Sequence, residues 1–153
     1  MKNKNNRSSS RRSSRLAAVQ ALYQLEQTSQ EVETIMIEFK DHRFSLLQED
    51  RLYFNPDIIF FESLVRGVSK NSATLRELIE KYLAENWRLD RLPSVMRAIL
   101  LAACYELNHE EVVPLPVVLN EYIEISKEFF EEKEVSFVNG ILDVISKNVR
   151  KNL

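Results

Sequence analysis

Residues 87–107 read WRLDRLPSVMRAILLAACYEL, and the fold turns on how this stretch is interpreted. From Val95 to Leu107 only Arg97 and Glu106 are charged, and the rest are Ala, Val, Ile, Leu, Met, Cys and Tyr. A helix that is apolar nearly all round belongs inside a bundle. A membrane span needs roughly 20 apolar residues, and this run is shorter and interrupted. Its surroundings must therefore be other helices of the same chain. Leu92-Pro93-Ser94 opens it as the central helix.

Upstream, apolar residues recur at helical spacing. Leu16, Val19, Leu22 and Tyr23 share the face of a first helix. Thr28-Ser29-Gln30-Glu31 has the spacing of a capping box, and Val32, Ile35, Met36 and Phe39 follow on one face of a second. Residues 40–55 mix charge with Phe44, Leu46, Leu47, Leu52, Tyr53 and Phe54 in no clear phase, and are expected to be a loop with short helical turns. Asn55-Pro56-Asp57 offers an N-cap, a proline for the first helical position and an early acid. Ile58, Phe61, Leu64, Val65 and Val68 mark the third helix, and Ser72 caps a fourth that carries Leu75, Leu78, Ile79, Tyr82 and Leu83.

Downstream, Val113-Pro114-Leu115-Pro116 forbids helix between its two prolines. Val118, Tyr122, Ile125 and Phe129 define a sixth helix, and Glu131 to Glu134 read as an acidic loop. The seventh helix starts near Ser136, with Val138, Ile141, Leu142, Ile145 and Val149 facing inward. Gly140 within it is expected to permit close helix packing. No segment alternates with period two long enough to argue a sheet. The expected class is all-α, with about seven helices and connections short enough for antiparallel neighbours.

Composition narrows the function. At 153 residues and 44% hydrophobic the chain can bury a core. Cys104, the single cysteine, lies in the apolar run, which excludes an intrachain disulfide and favours a small buried residue over a nucleophile. His42 and His109 have no second cysteine nearby, so no metal site is expected. Two glycines, Gly67 and Gly140, exclude a glycine-rich phosphate loop. Glu121, Glu124, Glu128, Glu131 and Glu132 cluster at helical spacing, but acid–base work needs a pocket that perturbs them. Their neighbours instead mark a solvated face, and neither catalysis nor a cofactor is expected.

The net charge of −2 hides an asymmetry. Lys2, Lys4, Arg7, Arg11, Arg12 and Arg15 fall in the first 15 residues without an acid, a charge of +6. The remainder holds 15 basic and 23 acidic groups, a charge of −8. A basic arm ahead of an acidic body suits nucleic acid or an anionic surface, and equally a solvated tail. Its Arg- and Ser-rich composition also matches an organellar transit peptide. However, the chain runs from Arg15 directly into LAAVQALYQLEQ with no linker, and no apolar segment of secretory type precedes it.

The basic arm leading into AVQALYQ at 18–24, then WRLDRLPSVMRAILLAACYEL, then VPLPVVLNEYIEISKEFF and finally SFVNGILDVI at 136–145 together resemble the NusB family of bacterial transcription factors. The resemblance spans nearly the whole chain in the family's order. It implies two small helical bundles side by side: a flexible arm over 1–12, then a domain over 13–153 that divides near 83/84. It also implies binding of boxA in nascent RNA together with NusE, a small-subunit ribosomal protein. Other Nus factors and RNA polymerase then join in the bacterial cytoplasm to suppress termination, notably in ribosomal RNA operons. The family's arginine-rich RNA motif falls on Arg11, Arg12 and Arg15, with Tyr23 further along the helix. Its second RNA segment falls on Lys133, Ser136 and Phe137. Arginine pairs bidentately with phosphate, and exposed Tyr or Phe can stack an unpaired base. Ordinary core packing is the competing reading for Tyr23 and Phe137.

Serines in RRSSR stand where the family often has further basic residues, so RNA affinity is expected either to be weaker or to draw on Lys2, Lys4 and Arg7. Met96 and Leu101 replace an acid and an arginine near the face used for NusE. The partner contact is then expected to be more apolar, or to move to Arg88, Asp90 and Arg91. A homodimer is a further possibility, and so is a helical interaction protein without RNA affinity. A similar RNA-binding module also precedes some ribosomal RNA cytosine methyltransferases, but the chain ends at Leu153 with no room for their cofactor-binding domain.

Overall fold

The computed structural model describes residues 2–44, 56–109 and 112–149, and among these every regular element is helical. The α-helices are α1 (Lys2–Gln27), α2 (Val32–Glu38), α3 (Ile58–Lys70), α4 (Ser72–Tyr82), α5 (Ser94–His109), α6 (Leu115–Phe129) and α7 (Glu132–Val149). A π-turn, Phe39–Arg43, prolongs α2, and a 3-10 turn, Leu89–Arg91, precedes α5. The chain divides into two compact units, Met1–Ser69 and Lys70–Leu153. The sequence-based division near 83/84 misses α4, which packs on α5 and α7 in the second unit. Leu75 and Ile79 are its buried anchors.

In the first unit α1 extends helically to Lys2, where the sequence reading places a flexible arm. No proline or glycine occurs before Gln27. Once the apolar half of a helix is nucleated by packing, each further residue adds one hydrogen bond, and nothing here stops it. Leu16, Ala17, Ala18, Val19, Ala21 and Leu22 bury this helix, together with Ile35 and Met36 of α2 and Phe61, Leu64, Val65 and Val68 of α3. Phe39, Phe44 and Phe61 form an aromatic cluster with centroids 5.1–6.2 Å apart. Of the unphased stretch, Phe44 thus joins the core, while 45–55 lie outside the described residues.

Several end signals act differently from their spacing. The Thr28 hydroxyl donates to Gln24 O at 2.9 Å and so closes α1, while Glu31 at the start of α2 makes no side-chain cap bond. The capping box is not formed. Asp57 caps α3, its Oδ1 accepting the Phe60 amide at 3.0 Å, which satisfies an orphan donor of the first turn, while Asn55 lies outside the described residues. Ser72 is the first residue of α4, not its cap. The two prolines at 114 and 116 do not exclude helix but open α6, since a first turn has no N–H to lose. The acidic residues Glu132 and Glu134 likewise lie in the first turn of α7, where the helix dipole favours them.

In the second unit α5, α6 and α7 pack on one another. Ten residues of α5 are buried, from Met96 to Leu107. Both of its charges have a role. Arg97 folds back on the preceding turn, donating to Asp90 O at 3.0 Å, to Leu92 O, and to Ser94 Oγ at 2.9 Å. Glu106 is fully buried and accepts the Tyr122 hydroxyl of α6 at 2.9 Å. A buried polar group without such a bond would cost several kcal/mol at about the 2–7 kcal/mol level.

Candidate nucleic-acid interface

The basic end of α1 is organised by one ring. Arg11 and Arg15 are four residues apart and so share a helix face. Their guanidinium carbons lie 4.3 and 5.1 Å from the centroid of Phe60. Stacked there, the Arg11 Nε is buried with no hydrogen-bond partner among the described residues. A cation over a ring face is attracted by its quadrupole, more so when water is excluded. The Ser14 hydroxyl, between them, donates to Asp57 O at 2.8 Å and ties α1 to the start of α3. Ser13 and Ser14 of the RRSSR segment are thus buried and work inside the unit.

These contacts separate the three arginines. Arg12 is exposed and Arg11 half-buried, but Arg15 is only 3% exposed. Arg15, which the family resemblance places in the RNA motif, is thus turned into the unit rather than toward solvent. Its long stem covers apolar surface instead. Phe60 carries this arrangement and escaped the sequence reading, which placed only its neighbour Phe61 inward. The i, i+4 spacing put Arg11 and Arg15 on one helix face but carried no signal of the ring beneath them. Tyr23, two turns along α1, is 41% exposed.

The second group of candidates lies on α7. Lys133 and Ser136 are exposed, Phe137 is half-buried, and all three lie on consecutive turns of one face. Lys133 belongs to the helix rather than to a preceding loop. The Phe137 ring meets Trp87 with centroids 5.5 Å apart and planes tilted by 33°. Trp87 is 51% exposed. Gly140, a further turn along, is exposed, and a Cβ built on it would meet nothing within 4 Å. The expectation that it permits close helix packing is overturned.

Of the partner-contact candidates, Arg88, Asp90 and Arg91 are exposed around the 3-10 turn, and Asp90 pairs with Arg76 of α4 at 3.2 Å. Met96 and Leu101 are buried at 3% and 6% exposure, so neither makes the surface more apolar. Their apolar side chains serve the core of a helix with no polar face. No group of three or more His, Cys, Asp or Glu side chains suited to a metal occurs among the described residues. No helix among them is long and apolar enough to cross a membrane. In the carboxylate cluster Glu121 is buried, while Glu124 pairs with Lys127 at 2.9 Å on the surface.

Fold and surface together define an all-helical protein whose two candidate patches each combine cationic and aromatic side chains. The model of the NusB family matches residues 12–147. The transcription antitermination protein NusB of Caulobacter vibrioides is 46% identical over 145 residues, which is 95% of this chain and 97% of that protein. That of Sphingopyxis alaskensis is 42% identical over 147 residues, 96% of this chain and 99% of its own. The chain belongs to the NusB family. Among solved structures, T. maritima NusB is similar at a TM-score of 0.70 and 35% identity, covering 93% of this chain and 94% of that one. A crystal structure of the antitermination factors NusB and NusE in complex with dsRNA shares the fold at a TM-score of 0.73 and 24% identity, covering 90% and 96%.

Proposed function

We propose that this chain is a transcription antitermination factor that binds boxA RNA of ribosomal RNA operons together with NusE. In this reading the pair joins other Nus factors on RNA polymerase in the bacterial cytoplasm, and the chain contributes binding surface rather than catalysis. The observation that carries it is identity of 42–46% with antitermination proteins over nearly their whole length. A NusB fold solved with NusE and dsRNA gives it a physical precedent. Arg11, Arg12 and Tyr23 face the RNA from α1, and Lys133, Ser136 and Phe137 from α7. Arg15 holds the start of α1 against Phe60. Arg88, Asp90 and Arg91 are the contacts offered to NusE, and Met96 and Leu101 are withdrawn from that surface.

Fluorescence anisotropy of a labelled boxA-type RNA and a scrambled control, with and without NusE at two salt concentrations, tests the proposal. It expects preference for boxA that tightens when NusE is added. Equal, salt-sensitive binding of both RNAs, unaltered by NusE, would leave a nonspecific basic helix end and sink the reading.

A further inference from the structure

Phe137 does not stand alone on its face of α7. Trp87 leans against it at 5.5 Å and leaves about half of its own surface in water. An indole half exposed to water leaves unburied apolar surface on which another flat ring can stack. Gly140, one turn beyond Phe137, is equally unexplained by folding. It is helical, exposed and free of any close neighbour, and in such a position glycine is a poorer choice than alanine. What glycine does provide is a bare strip of backbone one turn from Phe137, over which a flat group can lie without meeting a methyl.

We infer that Trp87, Phe137 and Gly140 form a platform on which one unpaired RNA base stacks, with Trp87 as the main stacking surface. The inference rests on the RNA-binding reading above and deepens it by naming a base-contacting residue outside the recognised segments. The three platform residues are themselves uncharged and offer no cation to a phosphate. A base rather than the backbone is therefore the fitting occupant. Exposed Lys133 and Ser136 on the same helix face can bind its polar edge or sugar. Stacking on an aromatic tolerates any base, so the platform adds affinity more than sequence choice.

Trp87 is the single tryptophan, so its emission reports on the platform directly. Unlabelled boxA-type RNA is titrated into the full chain with NusE present, and Trp87 emission is compared with that of the Trp87→Phe variant to subtract any signal of NusE. Anisotropy of labelled RNA runs in parallel. Quenching of Trp87 that saturates with the anisotropy change is expected. Trp87→Ala should raise Kd about tenfold with an unchanged salt slope, and Trp87→Phe should recover most of the loss. Gly140→Ala should raise Kd severalfold although the fold is no weaker. RNA binding without quenching, and with full affinity in Trp87→Ala and Gly140→Ala, overturns the platform but leaves the function intact. Quenching by NusE alone, with none added by RNA, overturns it in favour of a protein contact. Absence of RNA binding in the anisotropy removes both readings together.

Discussion

At the scale of single residues, the three arginines of RRSSR are not equivalent. Arg12 projects into solvent, whereas Arg15 is spent on Phe60. Single-stranded RNA releases roughly 0.7 counterions per neutralised phosphate. Arg12→Ala is therefore expected to flatten the slope of log K against log salt by about 0.7, with a smaller loss in urea unfolding than Arg15→Ala shows. Arg15→Ala should do the reverse, losing about 2 kcal/mol of stability from stacking and stem packing. Equilibrium unfolding and salt titration of both variants decide it, and identical behaviour of the two would refute the distinction. Tyr122→Phe tests the buried pair with Glu106. Removing the hydroxyl leaves a buried oxygen short of a donor, so a loss of about 1–3 kcal/mol is expected in urea unfolding.

At the scale of elements, helix ends were read less well than helix faces. Of the positions expected inward on α3, Ile58 at the first turn is 41% exposed, while Phe61, Leu64, Val65 and Val68 are buried as their period requires. So are Val138, Ile141, Leu142 and Ile145 of α7. A face is set by a pattern repeated over several turns, and each residue votes for it. An end depends on one or two side chains choosing between nearby amides, as when Thr28 turns back to Gln24 rather than forward into α2. The same asymmetry explains Phe129, predicted inward but 40% exposed at the last turn of α6. Gly140 belongs to this scale as well. Because a methyl there meets nothing, Gly140→Ala should stabilise the protein by about 0.5–1 kcal/mol, read as an upward shift in thermal midpoint. A downward shift would mean that the glycine answers a folding need after all.

At the scale of the whole molecule, the buried centre of α5 makes a pH-dependent prediction. Burial pushes the Cys104 thiol from its ordinary 9.0 up to about 12. Between these values the unfolded chain loses a proton that the folded one keeps, so stability must fall as pH rises through this window. Below pH 9 the two states hold the proton alike, and the contribution is flat. Unfolding free energies of wild type and Cys104→Ala, measured from pH 8 to pH 10.5, should converge as pH rises. A constant gap would contradict the burial. In the same experiment at neutral pH, a thiol reagent should label Cys104 only once urea has unfolded the second unit.

Sequence by itself determined the all-helical class, the central position of residues 94–109, the inward faces and the family, because these follow from composition and from periods summed over many residues. It also marked the basic end of α1 and Phe137. Only the tertiary structure decided that α4 belongs with the second unit, that Arg15 is buried while Arg12 is exposed, and that Met96 and Leu101 are core. It alone brought Trp87, fifty residues away in sequence, against Phe137. Such facts depend on what lies across from a residue, and a linear pattern carries no record of the opposite side. The fate of an arginine is settled by whether a ring such as Phe60 lies beneath it, and that of a tryptophan by which helix turn comes to meet it.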